Sequence, residues 1–249
     1  MKFFDCDMAY GRAGCPLPRE IETAADLLAE MDHSGIDQAL VWHRDAFERD
    51  FARGNNRLSE LEPFPRLHPT RAFLPPFTPE MPDAEDFVST MLRDGVRAAR
   101  AFPSRHGFLL DPVSCGAIFD LFISHNLPVL VPITEFPGGW RDIYQLLANF
   151  PALTLVLTEV GGWGQDRFFR PLLHRYPRLY LTTNRMVTAG QLKEIVHGFG
   201  PERVLFGSGA PSSYPGQYIM MLMRAAISDE AKEAIAHKNI ERLLEAVTL

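Results

Sequence analysis

Eight short runs of aliphatic, β-branched and aromatic residues alternate with longer stretches whose apolar residues recur at helical spacing, and no other feature of the chain restricts its fold as much. The strand-like runs are Phe3–Cys6, Ala39–His43, Ala72–Leu74, Arg97–Phe102, Pro128–Ile133, Leu153–Val160, Leu179–Thr182 and Val204–Phe206. Between them the spacing predicts helices over Glu20–Ser34, Asp45–Leu61, Asp83–Arg93, Ser114–His125, Trp140–Phe150, Trp163–Tyr176 and Thr188–Gly198, with Tyr214–Ile227 and Asp229–Val247 closing the chain. In the first of these, Ile21, Ala24, Leu27, Leu28 and Met31 share a face, and Gly35 supplies a stop. Strands separated by helices pair in parallel. Val129-Leu130-Val131 and Leu155-Val156-Leu157 are continuously apolar, as parallel strands covered on both faces are.

A chain of 249 residues matches the roughly 200–250 that a single α/β barrel uses. The expected fold is therefore α/β, a TIM-like (β/α)8 barrel forming one domain over residues 1–249. A doubly wound open sheet is the competing arrangement, but no GxGxxG or P-loop follows any strand.

Composition narrows the function classes. A formal net charge of −6, from 25 basic and 31 acidic residues, leaves no basic footprint for nucleic acid. The longest apolar runs, such as Leu127 to Ile133, fall far short of the ~20 residues of a membrane helix. Cys6, Cys15 and Cys115 have neither zinc-finger nor CxxC spacing and read as free thiols. Met1-Lys2-Phe3-Phe4-Asp5 shows no signal-peptide pattern, so the expectation is a cytoplasmic protein without nucleic-acid or membrane partners. The run Ile219-Met220-Met221-Leu222-Met223 suits either a homodimer contact or ordinary barrel packing. The 20 prolines exceed the usual ~5% and gather at strand ends and βα loops, including Pro75-Pro76, Pro103, Pro128, Pro132 and Pro211.

Several segments resemble the amidohydrolase-related family of metal-dependent hydrolases. They are Ala25-Asp-Leu-Leu-Ala-Glu-Met-Asp-His-Ser-Gly-Ile-Asp-Gln-Ala-Leu, Leu127-Pro-Val-Leu-Val, Leu155-Val-Leu-Thr-Glu-Val-Gly-Gly, Gly200-Pro-Glu-Arg-Val-Leu-Phe-Gly-Ser-Gly-Ala-Pro and Asn239-Ile-Glu-Arg-Leu-Leu. They occur in the family's order along nearly the whole chain. The resemblance implies metal ligands as His-x-His after strand one, a His after each of strands five and six, and an Asp after strand eight. Here those positions hold Asp5-Cys6-Asp7, Pro132, Glu159 and Gly209.

Side chains alternate along a strand, so Asp5 and Asp7 are expected on the barrel-interior face, with Cys6 turned toward the helices. Asp5, Asp7 and Glu159 would then meet at the C-terminal mouth, where barrel enzymes carry their active sites. Three readings of this cluster stand side by side. It holds a hard divalent cation such as Mg²⁺ or Mn²⁺, with Zn²⁺ less suited to carboxylates; it works without metal or cofactor as general acid and base; or it is structural. Without imidazoles, the metal-free reading is preferred to an inherited metal centre.

Arg12, Arg44, Arg100, Arg105 and Arg185 fall on the same mouth and suit an anionic substrate. His43 and His106 end or follow strands there and are candidate proton shuttles. Ser208 lacks the Gly-x-Ser-x-Gly elbow, which argues against a serine hydrolase. Gly161-Gly162 and Gly207-Ser208-Gly209 either cradle an anion on backbone amides or merely allow sharp turns, and Phe102, Trp140 and Trp163 are candidates for an apolar rim.

The expected function is hydrolysis of a small anionic substrate, such as a lactone or related carboxylate. Glu159 or Asp7 would activate water and Asp5 would orient it; Arg100 and His43, with His106 and Arg185, would bind the anion. The alternative is a non-catalytic small-molecule-binding or interaction protein on the same barrel.

Overall fold

A computed structural model describes residues 1–15, 17, 19–161 and 164–248. Its strands are β1 (Phe4–Tyr10), β2 (Gln38–His43), β3 (Leu67–Pro69), β4 (Arg71–Ala72), β5 (Ala99–Arg100), β6 (Val129–Pro132), β7 (Leu155–Thr158), β8 (Leu179–Thr182) and β9 (Val204–Leu205). All pair in parallel, in the order β1-β2-β3 and β4 through β9. β3 and β4 are one strand interrupted at Thr70, whose amide donates to the Val41 carbonyl (2.8 Å). At the other seam Cys6 N–H bonds the Phe206 carbonyl (2.9 Å), Gly209 N–H the Asp7 carbonyl (2.9 Å) and Ala9 N–H the Ala210 carbonyl (2.8 Å). Eight strands thus run in circuit, as expected for a TIM barrel.

The continuously apolar strands are explained by burial on two faces. Phe4, Cys6, Leu40, Ala98, Leu130, Val156 and Leu205 fill the barrel interior, and Ile240, Leu243 and Leu244 of the last helix pack onto the same cluster. Val129, Val131, Leu155, Leu157, Leu179 and Leu181 belong to the outer layer, packed beneath the helices. The helices on the outside include α1 (Ala24–Ser34), α2 (Asp45–Glu48), α3 (Phe51–Asn56), α4 (Ala84–Arg93), α5 (Pro103–His106), α6 (Pro112–Ser124), α7 (Trp140–Asn149), α8 (Asp166–Arg175), α9 (Gln191–Phe199) and α10 (Pro215–Arg224).

Local chemistry accounts for where helix ends differ from the periodicity. α1 starts at Ala24, later than expected, because Thr23 accepts from the Asp26 amide while Asp26 accepts from Thr23, a capping box. It stops as expected at Gly35, in the left-handed conformation (φ 77°). The helix expected over 45–61 breaks into α2, α3 and a 3-10 turn because Asp50 is extended and caps the Arg53 amide. The helix expected over 229–247 is interrupted by a π turn at Ala234–Lys238, beside which the buried Asn239 amide donates to the carbonyls of Pro201 and Val204. In α10 the methionine-rich run is divided: Tyr218 and Leu222 are buried, Met220 and Met223 exposed. Among the described residues, no helix is long and apolar enough to cross a membrane.

Candidate active site

The site begins with an irregularity in β1. Asp5 pairs with Ala39 and Met8 with Val41, so Cys6 and Asp7 together oppose Leu40. Such a bulge adds a residue to one strand and resets its alternation. Cys6 therefore points into the barrel, the reverse of the expectation, and Asp7 turns inward beside it. Asp5 does not share that face. It is fully buried in the β1–β9 seam, where Oδ1 accepts the amides of Asp7 (2.9 Å) and Ser208 (3.0 Å). Asp5 braces the bulge and lines no part of the pocket described next.

Asp7 lies at the base of a mouth pocket of about 110 Å³ that also involves Trp42, Arg44, Phe47, Arg100, Phe102, Thr134, Glu135 and Glu159. Arg100, only 1% exposed, donates through Nη2 to Asp7 Oδ1 at 2.7 Å. Its guanidinium carbon lies 5.2 Å from the Trp42 ring centre and 5.9 Å from that of Phe102, an arrangement that favours a cation over an aromatic face. Asn184 donates to Asp7 Oδ2 at 3.1 Å, so both carboxylate oxygens are engaged. The Asn184 oxygen also accepts the Glu159 amide (2.9 Å) and the Thr182 hydroxyl. One buried amide thus ties Asp7 to Glu159.

Glu159 sits in the left-handed region (φ 61°), an uncommon conformation for a residue with a Cβ. Its carboxylate is half-buried and lies 3.2 Å from Arg185 Nη2. Burial, aided by the charge of Asp7, raises its pKa above the ordinary glutamate value, against the opposing pull of Arg185 and Arg100. Burial also pushes Asp5 up to about 7, and there the neighbouring Asp7 charge is the least of the causes. Desolvation rather than crowding therefore dominates at both carboxyls. Cys6 is likewise raised, chiefly by burial, then by Asp5 and Asp7.

The histidines serve the frame. His43 Nδ1 accepts the Asp45 amide at the start of α2 (3.0 Å), and the ring packs edge-on against Tyr10. His106 Nε2 lies 2.9 Å from the Ala46 carbonyl, with its ring edge-on to Phe102. Burial lowers the pKa of both. Neither ring lines the pocket, so the expected substrate-binding role of His43 and His106 is corrected: strand alternation turns His43 outward with Val41, and Trp42 inward with Leu40.

Of the five arginines, Arg44 and Arg100 line the pocket and Arg185 holds Glu159 at its edge. Arg105 is spent on the carbonyls of Phe47 and Glu48, and Arg12 is exposed. The amides of Gly207, Ser208 and Gly209 donate to Thr183, Asp5 and Asp7, which leaves that turn no anion cradle. Ser208 is fully buried. Phe102 forms part of the rim as expected; Trp140 stacks instead on Phe168, and Gly162 and Trp163 lie outside the described residues. Trp42, Glu135 and Asn184 were not among the residues expected from sequence.

At the positions where the sequence resemblance implies metal ligands, the residues present do not fit a divalent cation. Pro132 and Gly209 offer no side-chain donor, Asp5 is outside the pocket, and Asp7 is already neutralised by a guanidinium that a nearby metal ion would repel. Gly209 has φ 72°, and a Cβ there would stand 3.1 Å from the Asn184 amide nitrogen. An aspartate at this position would be strained as well as crowded.

Asp5 yields a pH signature. Its folded-state pKa of about 7 lies above the unfolded value near ~3.9. The stability it contributes is therefore fully present below about pH 4 and is lost as pH rises to about 7. Asp5→Asn keeps the acceptor for both amides and removes the titration. Urea unfolding from pH 4 to 8 should show wild type losing stability relative to this variant up to about pH 7, then running parallel; a constant difference would contradict the raised carboxyl.

The fold and the pocket define a (β/α)8-barrel protein with its candidate site at the C-terminal mouth, built on a buried arginine–carboxylate pair. The chain belongs to the amidohydrolase family, whose model matches residues 8–246. Among solved structures it is similar to an uncharacterized TIM-barrel protein from Bordetella bronchiseptica (20% identity, 99% of each chain covered, TM-score 0.78). It is also similar to 2,6-dihydroxybenzoate decarboxylase from Rhizobium (15%, 98% of each chain, 0.76). A third is 5-carboxyvanillate decarboxylase from Novosphingobium aromaticivorans with bound manganese (14%, 98% of this chain and 97% of that one, 0.76). At these identities the likeness carries the fold. Among curated proteins no sequence matches.

Proposed function

We propose that this chain hydrolyses a small anionic substrate, a lactone or related carboxylate, at the Arg100–Asp7–Glu159 pocket without a His-based metal centre. The observation that carries this reading is the Arg100 guanidinium, buried at the base of a barrel-mouth pocket and held there by Asp7 and two aromatic faces. A desolvated, immobilised arginine recognises a carboxylate or a developing oxyanion at little orientational cost. Asp7 orients Arg100. Glu159 is the general base: it takes a proton from water as the water oxygen bonds the substrate carbonyl. Arg185 steadies Glu159 from the rim, where it is 56% exposed. Pro132 and Gly209 leave room beside these groups.

Decarboxylation is a second reading, favoured by the activities named for two of the similar structures. One assay separates the two. The purified chain is incubated with carboxylate-bearing lactones and with hydroxybenzoates, acid release and CO2 release being followed in parallel. Acid from a lactone is the expected result. CO2 from a benzoate would replace hydrolysis by decarboxylation. Thermal stabilisation by these compounds without turnover of either kind would favour the non-catalytic binding protein.

A further inference from the structure

Glu135 was not expected from sequence, and its setting differs from that of every other carboxylate at the pocket. It ends the 3-10 turn Ile133–Glu135 that follows β6, is 9% exposed and lines the pocket with Asp7 and Glu159. Asp7 is paired with Arg100, Glu159 with Arg185 and the adjoining Glu48 with Arg44. Among the described residues no Lys, Arg or His side chain forms a salt bridge with Glu135 within 4 Å. Oε2 is held instead by the backbone amide of Arg105 in α5 at 2.9 Å, while the Arg105 guanidinium is turned onto the carbonyls of Phe47 and Glu48.

The charged groups at the pocket are Asp7 from β1, Arg44 at the start of α2, Arg100 from β5, and Glu159 following β7, with Arg185 at the edge. With the other pairs neutral, Glu135 brings a negative charge that has no ion-pair partner among the described residues, the Arg105 guanidinium acting on it only from its place on the carbonyls of Phe47 and Glu48. An anion entering this cavity meets like charge unless that carboxyl carries a proton.

We propose that Glu135 is a further catalytic carboxyl of this pocket, protonated when the anion is bound and acting as the general acid opposite Glu159. This rests on the hydrolytic reading above. For a lactone, Glu159 removes a proton from water, the water oxygen bonds the carbonyl carbon, the ring C–O bond breaks, and the Glu135 proton passes to the leaving alkoxide. Solvent exchange then returns Glu159 to carboxylate and Glu135 to carboxyl, and the product acid releases one proton. Burial, which raises the pKa of Glu135 against the pull of the Arg105 amide, the Arg105 charge and the Ser104 amide, agrees with this role.

The full chain is labelled with 13C at the glutamate carboxyls and titrated by NMR, and benzoate binding is measured by calorimetry near pH 7 in two buffers of different ionisation heat. Glu135→Gln keeps the acceptor for the Arg105 amide and assigns the resonance; Glu135→Asp removes the same labelled resonance and assigns it independently. Expected are a Glu135 midpoint above the ~4.3 of free glutamate, proton uptake approaching one per benzoate in wild type, and benzoate binding without uptake in Glu135→Gln. A Glu135 midpoint in the ordinary range, or unchanged uptake in Glu135→Gln, overturns the assignment of the acid while the Arg100 reading stands. Wild type that binds no benzoate overturns the anion pocket itself, and the acid with it.

Discussion

Arg100→Met is expected to lower the unfolding free energy by about 3–5 kcal/mol, because it leaves the Asp7 carboxylate buried without its cation. In a chain of this size that corresponds to a fall in Tm of about 6–20 °C. The aliphatic part of methionine occupies much of the same space between Trp42 and Phe102, so the loss is electrostatic more than a matter of cavity volume. The double variant Asp7→Leu/Arg100→Met removes both charges and should recover most of the stability, since a buried ion pair replaced by apolar groups is often close to neutral. Thermal and urea unfolding of wild type, Arg100→Met, Asp7→Leu and the double variant completes the cycle. Anion binding should be absent from both variants that lack Arg100. If Arg100→Met alone is as stable as wild type, the pair is not buried as described.

Glu159→Gln should reduce turnover of whichever compound the wild type hydrolyses by about 10²–10⁴-fold, the usual contribution of a positioned general base. Stability should change by less than about 1 kcal/mol, because the ion pair lost, among the described residues, is the rim contact with the exposed Arg185. The left-handed backbone at 159 is kept by the Asn184 side chain, which bonds the main chain and is indifferent to the substitution. The fall should lie in kcat rather than KM. Unchanged turnover would remove Glu159 from the mechanism.

The barrel was legible because parallel strands covered on both faces must be apolar throughout, and the helices between them carry a 3.6-residue stripe. Arg100 was legible by the same logic, since it shares a face with Ala98, an interior residue. Trp42 was legible too: alternation from Leu40 sends it inward and His43 outward. Glu135 stands three residues beyond the end of β6 in a turn of its own, where no strand periodicity says which way a side chain points. Asn184 carries no motif; its role appears only when β8, β1 and the segment after β7 are brought together.

Residue types and their spacing by themselves determined the parallel barrel and the mouth as the place where Asp7, Glu159 and Arg100 gather. The tertiary structure alone decided which carboxylate faces the pocket. Asp5, Cys6 and Asp7 alternate in sequence, but the bulge opposite Leu40 adds a residue whose existence depends on the register of β1 against β2. Local periodicity has no access to that register, because it is set by hydrogen bonds to a strand more than thirty residues away.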